Sequence, residues 1–268
     1  MLDIILDEFH FSSLWNGGIF LFICFAAIIY LFLLPQDKRH TIWKSILFLV
    51  GLVSIFVAIG SPINIIGRIE FSTHVVQLIL LLFIAPVLLI LGRKQKAIDQ
   101  LLTISPLEKI MQFVMHPIFT LGLFIILFYG YHIPAVFDQA RIDLFWNYFY
   151  MFGLFLAAIF MWLPVLSSKR FAVKRKVLYV SWMVFLMLPF CLLLWLSNES
   201  FYNLYTDMRS FVAAMELCLP PGESLSPEYF ELLLPFDPVG EQKQGGIILF
   251  LFQLILWITT TIILRRRT

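Results

Sequence analysis

Charged residues are scarce in this chain of 268 residues. Asp, Glu, Lys and Arg together make up 13% of it, whereas a typical soluble domain has about 25%. Hydrophobic residues make up 61% of the chain, above the roughly 45–50% that is usual in soluble proteins. The shortage of charge argues against an ordinary soluble domain and predicts an all-α integral membrane protein.

Cysteine is also rare, and its three copies, Cys24, Cys191 and Cys218, are far apart. They form no CxxC motif, which excludes a framework of paired cysteines. The first 13 residues contain no lysine or arginine, whereas a cleaved signal peptide begins with a basic segment. We therefore expect the first apolar segment to be retained as a membrane span.

Apolar residues are grouped into seven blocks, each near the roughly 20 residues that a helix needs to cross a bilayer. We expect one domain, residues 1–268, built from seven transmembrane helices in contact with the lipid bilayer. The expected spans are Leu14–Leu34, Ser45–Gly60, His74–Gly92, Pro117–Phe137, Leu144–Leu166, Val177–Ser197 and Gly246–Leu264. Prolines inside the spans are expected to bend their helices, because each removes a backbone hydrogen bond. These prolines are Pro86, Pro164 and Pro189.

Basic residues are concentrated in alternate connections between these spans. Fifteen of the 19 lie on one side, together with only 3 of the 17 acidic residues. The four on the other side are Arg68, Arg141, Arg209 and Lys243. Cytoplasmic loops are enriched in lysine and arginine, so this pattern predicts an N-terminus outside and a C-terminus inside.

The predicted spans contain no Asp, Glu, Lys or Arg. Ion-coupled transporters depend on ionisable groups within the membrane, so this absence argues against a permease. A retinal-binding protein is excluded, because the last span has no lysine for a Schiff base. We expect neither catalytic turnover nor a nucleic-acid partner.

The longest connection is the extracytoplasmic segment 198–245. Its first half places Phe211, Val212, Met215 and Cys218 at helical spacing, which predicts a short helix on the membrane surface. A second helix is expected after Ser226-Pro227, and an interfacial helix on the inner side is expected after Ser105-Pro106.

Polar side chains gather at the predicted outer ends of the spans. His74 and Gln77 are three residues apart and should share one helix face, and His132 closes the fourth span. Imidazole and sulfur ligands suit Cu(I), so His74, His132 and Cys218 are candidate copper ligands. Further candidates are Gln77, Met215, Met208 and Glu241. The alternative interpretation is that each histidine is simply an interfacial side chain with one polar edge.

Several motifs in order together resemble one family. They are GSPINII, FSTHVVQ, APVLLILG, YHIPAVFD, MWLPVL, LYTDMRSFVAAMELCLPPG and EQKQGGIIL. The chain resembles the CtaG-type assembly factors of caa3-type cytochrome c oxidase from Bacillus-like bacteria, over nearly its whole length.

This resemblance implies a multi-pass protein of the bacterial plasma membrane that is needed to form an active, copper-containing haem oxidase. It implies cytochrome c oxidase subunits as partners and suggests that copper is delivered or inserted at the outer face. Two alternatives stay open: a metal-free scaffold that binds oxidase subunits, and a small-molecule permease or membrane-embedded enzyme.

Overall fold

The structure is a computed structural model that describes residues 9–38, 40–104, 106, 113, 115–167, 171–219 and 237–266. These residues are helical without any strand, which confirms the all-α prediction. The helices are α1 (Phe11–Leu14), α2 (Gly17–Leu33), α3 (Ile42–Gly60), α4 (Ile63–Ile69), α5 (Phe71–Gly92), α6 (Gln95–Leu101), α7 (Pro117–Tyr131), α8 (Pro134–Ile142), α9 (Leu144–Leu166), α10 (Val173–Leu196), α11 (Met208–Glu216) and α12 (Pro238–Arg265).

Five helices, namely α3, α5, α9, α10 and α12, are long and apolar enough to cross a membrane. A sixth candidate is formed by α7 and α8 if this bent pair counts as one span. Helix α2 is apolar but only 17 residues long. The seven-span count and the orientation of the termini therefore stay predictions.

The predicted fourth span, Pro117–Phe137, is interrupted by a sharp bend. Helix α7 ends at Tyr131, α8 begins at Pro134, and the two axes differ by 75°. Pro134 disfavours a helical conformation at the residue before it, and Ile133 is accordingly extended (φ −62°, ψ 126°). The bend turns α8 across the end of the bundle.

Several other helices begin at residues different from their predicted starts, including Gly17 for Leu14, Ile42 for Ser45 and Val173 for Val177. The last helix begins at Pro238 instead of Gly246, because Asp237 accepts a hydrogen bond from Gly240 N (2.7 Å) and caps the helix end. The last residues of the predicted connection 198–245, from Pro238 onward, therefore belong to α12. The third span begins at Phe71 instead of His74. The helix predicted after Ser226-Pro227 and most of the one after Ser105-Pro106 lie outside the described residues.

Helix α5 lies at the centre of the bundle. Its most apolar window is 61% buried, against 17–44% in the other four candidate spans, and it packs against α3, α4, α9 and α12. Pro86 cannot donate a backbone hydrogen bond to Leu82, and the preceding turns widen into a π-helix at Ile79–Ile84. The indole of Trp162 in α9 donates to the freed Leu82 carbonyl oxygen instead (3.4 Å).

One end of the bundle is covered by short elements that we call the cap: α4, α8, α11 and the 3₁₀ turn Asn203–Tyr205. The charge distribution predicts this end to be extracytoplasmic. The Asp138 carboxylate on α8 accepts hydrogen bonds from the backbone N–H groups of Asn203 and Leu204 (both 3.1 Å). The Tyr205 hydroxyl donates to the Gly67 carbonyl oxygen on α4 (3.0 Å). These bonds connect three of the four cap elements.

The predicted short helix after Thr206 exists as α11, and its apolar face packs against protein. Phe211 and Met215 are fully buried, and they pack against Ile65 and Ile69 of α4. An apolar helix face of this kind is stabilised by burial against protein as well as by lipid. Helix α11 therefore completes the cap.

Candidate functional site

His74 lies on the first turn of α5 and is completely buried. Gln77, one turn later, donates through Nε2 to the Ala58 carbonyl oxygen (2.8 Å) and to Asn64 Oδ1 (3.0 Å). These two bonds orient the amide so that its Oε1 faces His74 Nδ1 at 2.9 Å. The network therefore places the ring proton on Nδ1 and leaves a lone pair on Nε2. Nε2 is 3.5 Å from the Tyr131 hydroxyl.

His132 lies at the bend between α7 and α8 and is 6% exposed. Its Nδ1 is 2.7 Å from the Phe128 carbonyl oxygen, which can only accept a hydrogen bond, so Nδ1 carries the proton. Its Nε2 is buried and has no hydrogen-bond partner among the described residues. His132 is therefore in the same tautomer as His74.

The two histidines form a pair beneath the cap. Their ring centroids are 6.4 Å apart, and the Phe137 ring lies 5.3 Å from His74 and 6.2 Å from His132. Tyr202 packs on Phe71 at 5.2 Å and on Phe137 at 4.1 Å, which closes the pair off from the cap surface. The result is an enclosed pair of imidazoles, each with Nδ1 held by an oxygen atom, and in the neutral form of each ring Nε2 would be the atom that binds a metal.

The other candidate ligands lie elsewhere. Met208, Met215 and Cys218 belong to a separate apolar cluster between α11 and α4. The Glu241 carboxylate accepts hydrogen bonds from the hydroxyl and the backbone N–H of Ser72. No group of three or more His, Cys, Asp or Glu side chains in the described part of the chain is arranged to hold a metal ion. The structure thus brings together His74, His132 and Gln77, and copper binding stays a prediction.

Two buried arginines beside this pair were missed by the sequence analysis, which placed both in extracytoplasmic connections without a role. Arg68 on α4 is 2% exposed and Arg141 on α8 is fully buried. A signal was present: Arg68 shares a helix face with Ile65, and Arg141 shares one with Phe137. A single arginine on the apolar face of a short amphipathic helix is expected to be buried when that face packs against another helix.

Arg68 connects the cap elements through backbone carbonyl groups. Arg68 Nη1 donates to the carbonyl oxygens of Arg141 on α8 and Ala214 on α11. Burial lowers the pKa of Arg68, and the neighbouring Arg141 charge acts in the same direction. Because the ordinary pKa of arginine is above 12, the group stays protonated. Burial also raises the pKa of Tyr202 and Tyr205, so both phenols stay neutral hydrogen-bond donors.

Comparison with known proteins identifies the family. Residues 25–268 match the family model described as "Cytochrome c oxidase caa3 assembly factor (Caa3_CtaG)". Searches of curated proteins and of solved structures gave no match. The family match covers all but the first 24 residues, including every helix from α3 to α12 and both histidines. The chain therefore belongs to the family of caa3-type cytochrome c oxidase assembly factors.

Proposed function

We propose that this chain helps a caa3-type oxidase to mature at the membrane face that carries the cap, with Cu(I) as cargo held by His74 and His132. The observation that carries the copper part is the pairing of two buried imidazoles whose Nδ1 atoms each face an amide or carbonyl oxygen, which leaves the two Nε2 atoms as the possible ligands. Family membership supports the oxidase part. Extracytoplasmic action follows from the predicted orientation, because the pair lies at the cap end of α5 and α7.

The spacing of the pair suits a small soft cation. Imidazole nitrogens that share a metal each lie about 2.0–2.1 Å from it, so the two Nε2 atoms would be about 4 Å apart. Ring centroids 6.4 Å apart are compatible with that distance. The Gln77 and Phe128 oxygens hold Nδ1–H of each ring, and such secondary hydrogen bonds orient metal-binding histidines.

Loading and release of cargo require the cap to open, because both rings are enclosed by aromatic side chains. Phe71, Phe137 and Tyr202 form the contacts that would have to separate. The cap elements are short and connected to one another by a few hydrogen bonds, so they are the part of the chain suited to local opening. Docking of an oxidase subunit on the cap would couple this opening to delivery.

A metal-free scaffold is a second candidate, and the arginines favour it. The guanidinium carbon of Arg141 is 6.0 Å from the centre of the Phe137 ring, whose other neighbours include His74 at 5.3 Å. A fixed positive charge this close opposes the entry of a cation in a medium of low dielectric constant. In this alternative the chain binds oxidase subunits through the cap and holds no metal.

Cu(I) binding separates the two candidates. The purified protein in mild detergent is titrated with Cu(I) against a chromogenic chelator, in parallel with a His74→Ala, His132→Ala double variant. The matched control is a His10→Ala, His116→Ala variant, which removes two exposed histidines instead. We expect about one tightly bound Cu(I) in the parent and the control, and none in the test variant. Equal binding in all three, or none in any, contradicts copper delivery.

Complementation in cells tests the assembly function itself. Deletion of the gene should abolish caa3-type oxidase activity while respiration through b-type oxidases continues, and the parent sequence should restore it. If the His74→Ala, His132→Ala variant binds no copper and still restores the oxidase, the metal-free scaffold is the correct function. Normal oxidase activity after deletion would show that the chain is not required for assembly.

A further inference from the structure

A polar cavity of about 330 Å³ opens at the rim of the cap, between α1, α3, α4, α9 and the end of α11. Its polar lining is formed by Ser12, Ser13, Asn16, Ser61, Asn64, Tyr148, Cys218 and Arg68. Arg68 is the one charged side chain among the described residues that line it. The cavity is separate from the histidine pair, since neither His74 nor His132 lines it.

Arg68 has more positive charge than its partners neutralise. Its Nη1 group donates to two backbone carbonyl oxygens, while its Nε is buried and has no hydrogen-bond partner among the described residues. Behind it, the Arg141 guanidinium lies beside the neutral Tyr131 hydroxyl and has no carboxylate partner among the described residues. Buried charges are usually paired, because taking an ion out of water costs several kcal/mol. Two adjacent cations with no described carboxylate bound to them are suited to an anion.

Structural cross-linking of the cap does not account for this arrangement by itself. The bonds from Arg68 Nη1 to α8 and α11 do connect the cap elements. Those bonds use only one of the three guanidinium nitrogens of Arg68, and its buried Nε has no partner among the described residues. A neutral donor would have served for cross-linking at lower desolvation cost.

An apolar groove of about 500 Å³ adjoins the cavity along α9. It is lined by Leu144, Phe145, Tyr148, Phe149 and Phe152, and Leu144 and Tyr148 also line the cavity. The groove has exposed aromatic walls, since Phe145, Phe149 and Phe152 are 67%, 57% and 63% exposed. From Leu144 to Phe152 the helix rises about 12 Å, so the groove extends along α9 for much of the thickness of one leaflet.

We propose that the cavity and the groove together bind one anionic phospholipid. The phosphate lies against Arg68, the Asn and Ser side chains of the lining serve the rest of the headgroup, and an acyl chain follows the aromatic groove on α9. Arginine is well suited to phosphate because its N–H groups match the phosphate oxygens. A net negative headgroup is favoured over a zwitterionic one, because Arg141 adds a second positive charge that no described side chain offsets.

Native mass spectrometry of the full chain in detergent tests the proposal. The protein is titrated with dioctanoyl phosphatidylglycerol, dioctanoyl phosphatidylcholine and dioctanoylglycerol, and inorganic phosphate is added as a competitor. We expect one phosphatidylglycerol to bind at least about tenfold more tightly than either other lipid, and phosphate at the same concentration not to displace it. Equal affinity for the three lipids contradicts anion recognition. Displacement by equimolar phosphate shows an anion site that does not use the groove, which overturns the proposal.

Variants divide the site into its charged and apolar parts. Arg68→Gln should weaken phosphatidylglycerol binding about tenfold or more, and Arg68→Lys, which keeps the charge, should weaken it less. Phe149→Asp places a negative charge, the same sign as that of the lipid phosphate, at an exposed position in the groove and should also weaken binding. The control Phe22→Asp changes a similarly exposed side chain on α2 (69% exposed) and should leave binding unchanged. Circular dichroism confirms that each variant is folded. Unchanged binding in both Arg68→Gln and Phe149→Asp overturns the proposal.

The carboxylates of the chain itself provide a further test. Glu223, Glu228 and Glu231 lie outside the described residues. A variant with all three replaced by Gln should bind phosphatidylglycerol as the parent does. Tighter binding by this variant would show that the anion belongs to the chain itself, and the lipid proposal would be wrong. Neither outcome depends on copper, so the result is independent of the proposed delivery function.

Discussion

Gln77 is the side chain that joins the histidine pair to the rest of the bundle. Its amide bonds to His74 on the same helix, to the Ala58 carbonyl oxygen near the end of α3, and to Asn64 on α4. All three bonds are enclosed in the protein, where the exposed fraction of Gln77 is 1%. A buried amide that forms all of these bonds rigidifies its surroundings, because any other conformation of the Gln77 side chain would leave a buried polar atom without a partner.

We expect Gln77→Leu to destabilise the protein by roughly 2 kcal/mol or more, because His74 Nδ1–H and Asn64 Oδ1 each lose a buried partner. The free energy of unfolding is measured by SDS titration from mild micelles. Gln100→Leu makes the same chemical change at an exposed position and should have little effect. Stability equal to that of the parent would show that the Gln77 network does not hold the site in place.

Individual residues show what the sequence could and could not predict. The spacing of His74 and Gln77 predicted a shared helix face, and the hydrogen bond between them confirms it. The approach of His132 to His74 depends on the bend at Ile133, which helical periodicity does not reveal. Cys218 was grouped with the histidines only because it is predicted to share their membrane face, and α11 places it in another cluster.

At the scale of helices, α3 and α5 pack most closely at a glycine. Gly92 ends α5 beside α3, and a Cβ atom there would lie 2.5 Å from Lys44 O and from Phe48 N. Both atoms belong to the α3 backbone, which cannot move aside as a flexible side chain can. The Tyr30 hydroxyl on α2 also donates to the Gly92 carbonyl oxygen (2.7 Å), so three helices meet at this residue.

Gly92→Ala should therefore push α3 and α5 apart and cost about 1–3 kcal/mol of stability, the usual range for overpacking. Gly122→Ala on α7 is the matched control, since a Cβ atom there meets no other heavy atom within 4 Å. That control should be neutral or stabilising by up to about 1 kcal/mol, because alanine has the higher helix propensity. SDS titration of both variants measures the difference, and equal stabilities would contradict the close approach of the two backbones.

Helix boundaries were predictable wherever hydropathy alone decides them. Helix α9 spans Leu144–Leu166, as expected, and α10 ends within one residue of the expected Ser197. Predictions failed where a polar residue or a proline sets the helix boundary, as where Asp237 starts α12 and where Pro134 separates α8 from α7. Helix α11 was predicted from the periodicity of Phe211 and Met215, yet periodicity cannot distinguish a partner helix from a lipid surface.

The whole molecule combines membrane helices of low charge with a cap that holds buried charge. The spans drawn from the sequence contain no Asp, Glu, Lys or Arg, and the two arginines at the cap lie just outside them. Burial of Arg68 and Arg141 corrects the expectation of an uncharged core at this end of the bundle. Composition could not show this burial, because the same composition fits an arginine in a solvent-exposed loop and an arginine covered by α11 and the 3₁₀ turn.

The proposed delivery of copper depends on the orientation of the whole molecule, which single-cysteine labelling can measure. In a background with Cys24, Cys191 and Cys218 replaced by alanine, Asp207→Cys reports on the cap and Lys96→Cys reports on the opposite end. Both positions are exposed in the structure. Because 15 of the 19 basic residues lie on the Lys96 side, that side should be cytoplasmic. A membrane-impermeant maleimide added to intact cells should label the Asp207→Cys protein only, and both proteins should react after the cells are opened. Labelling of the Lys96→Cys protein alone would place the cap in the cytoplasm, and the histidine pair could then not deliver copper to the outer face.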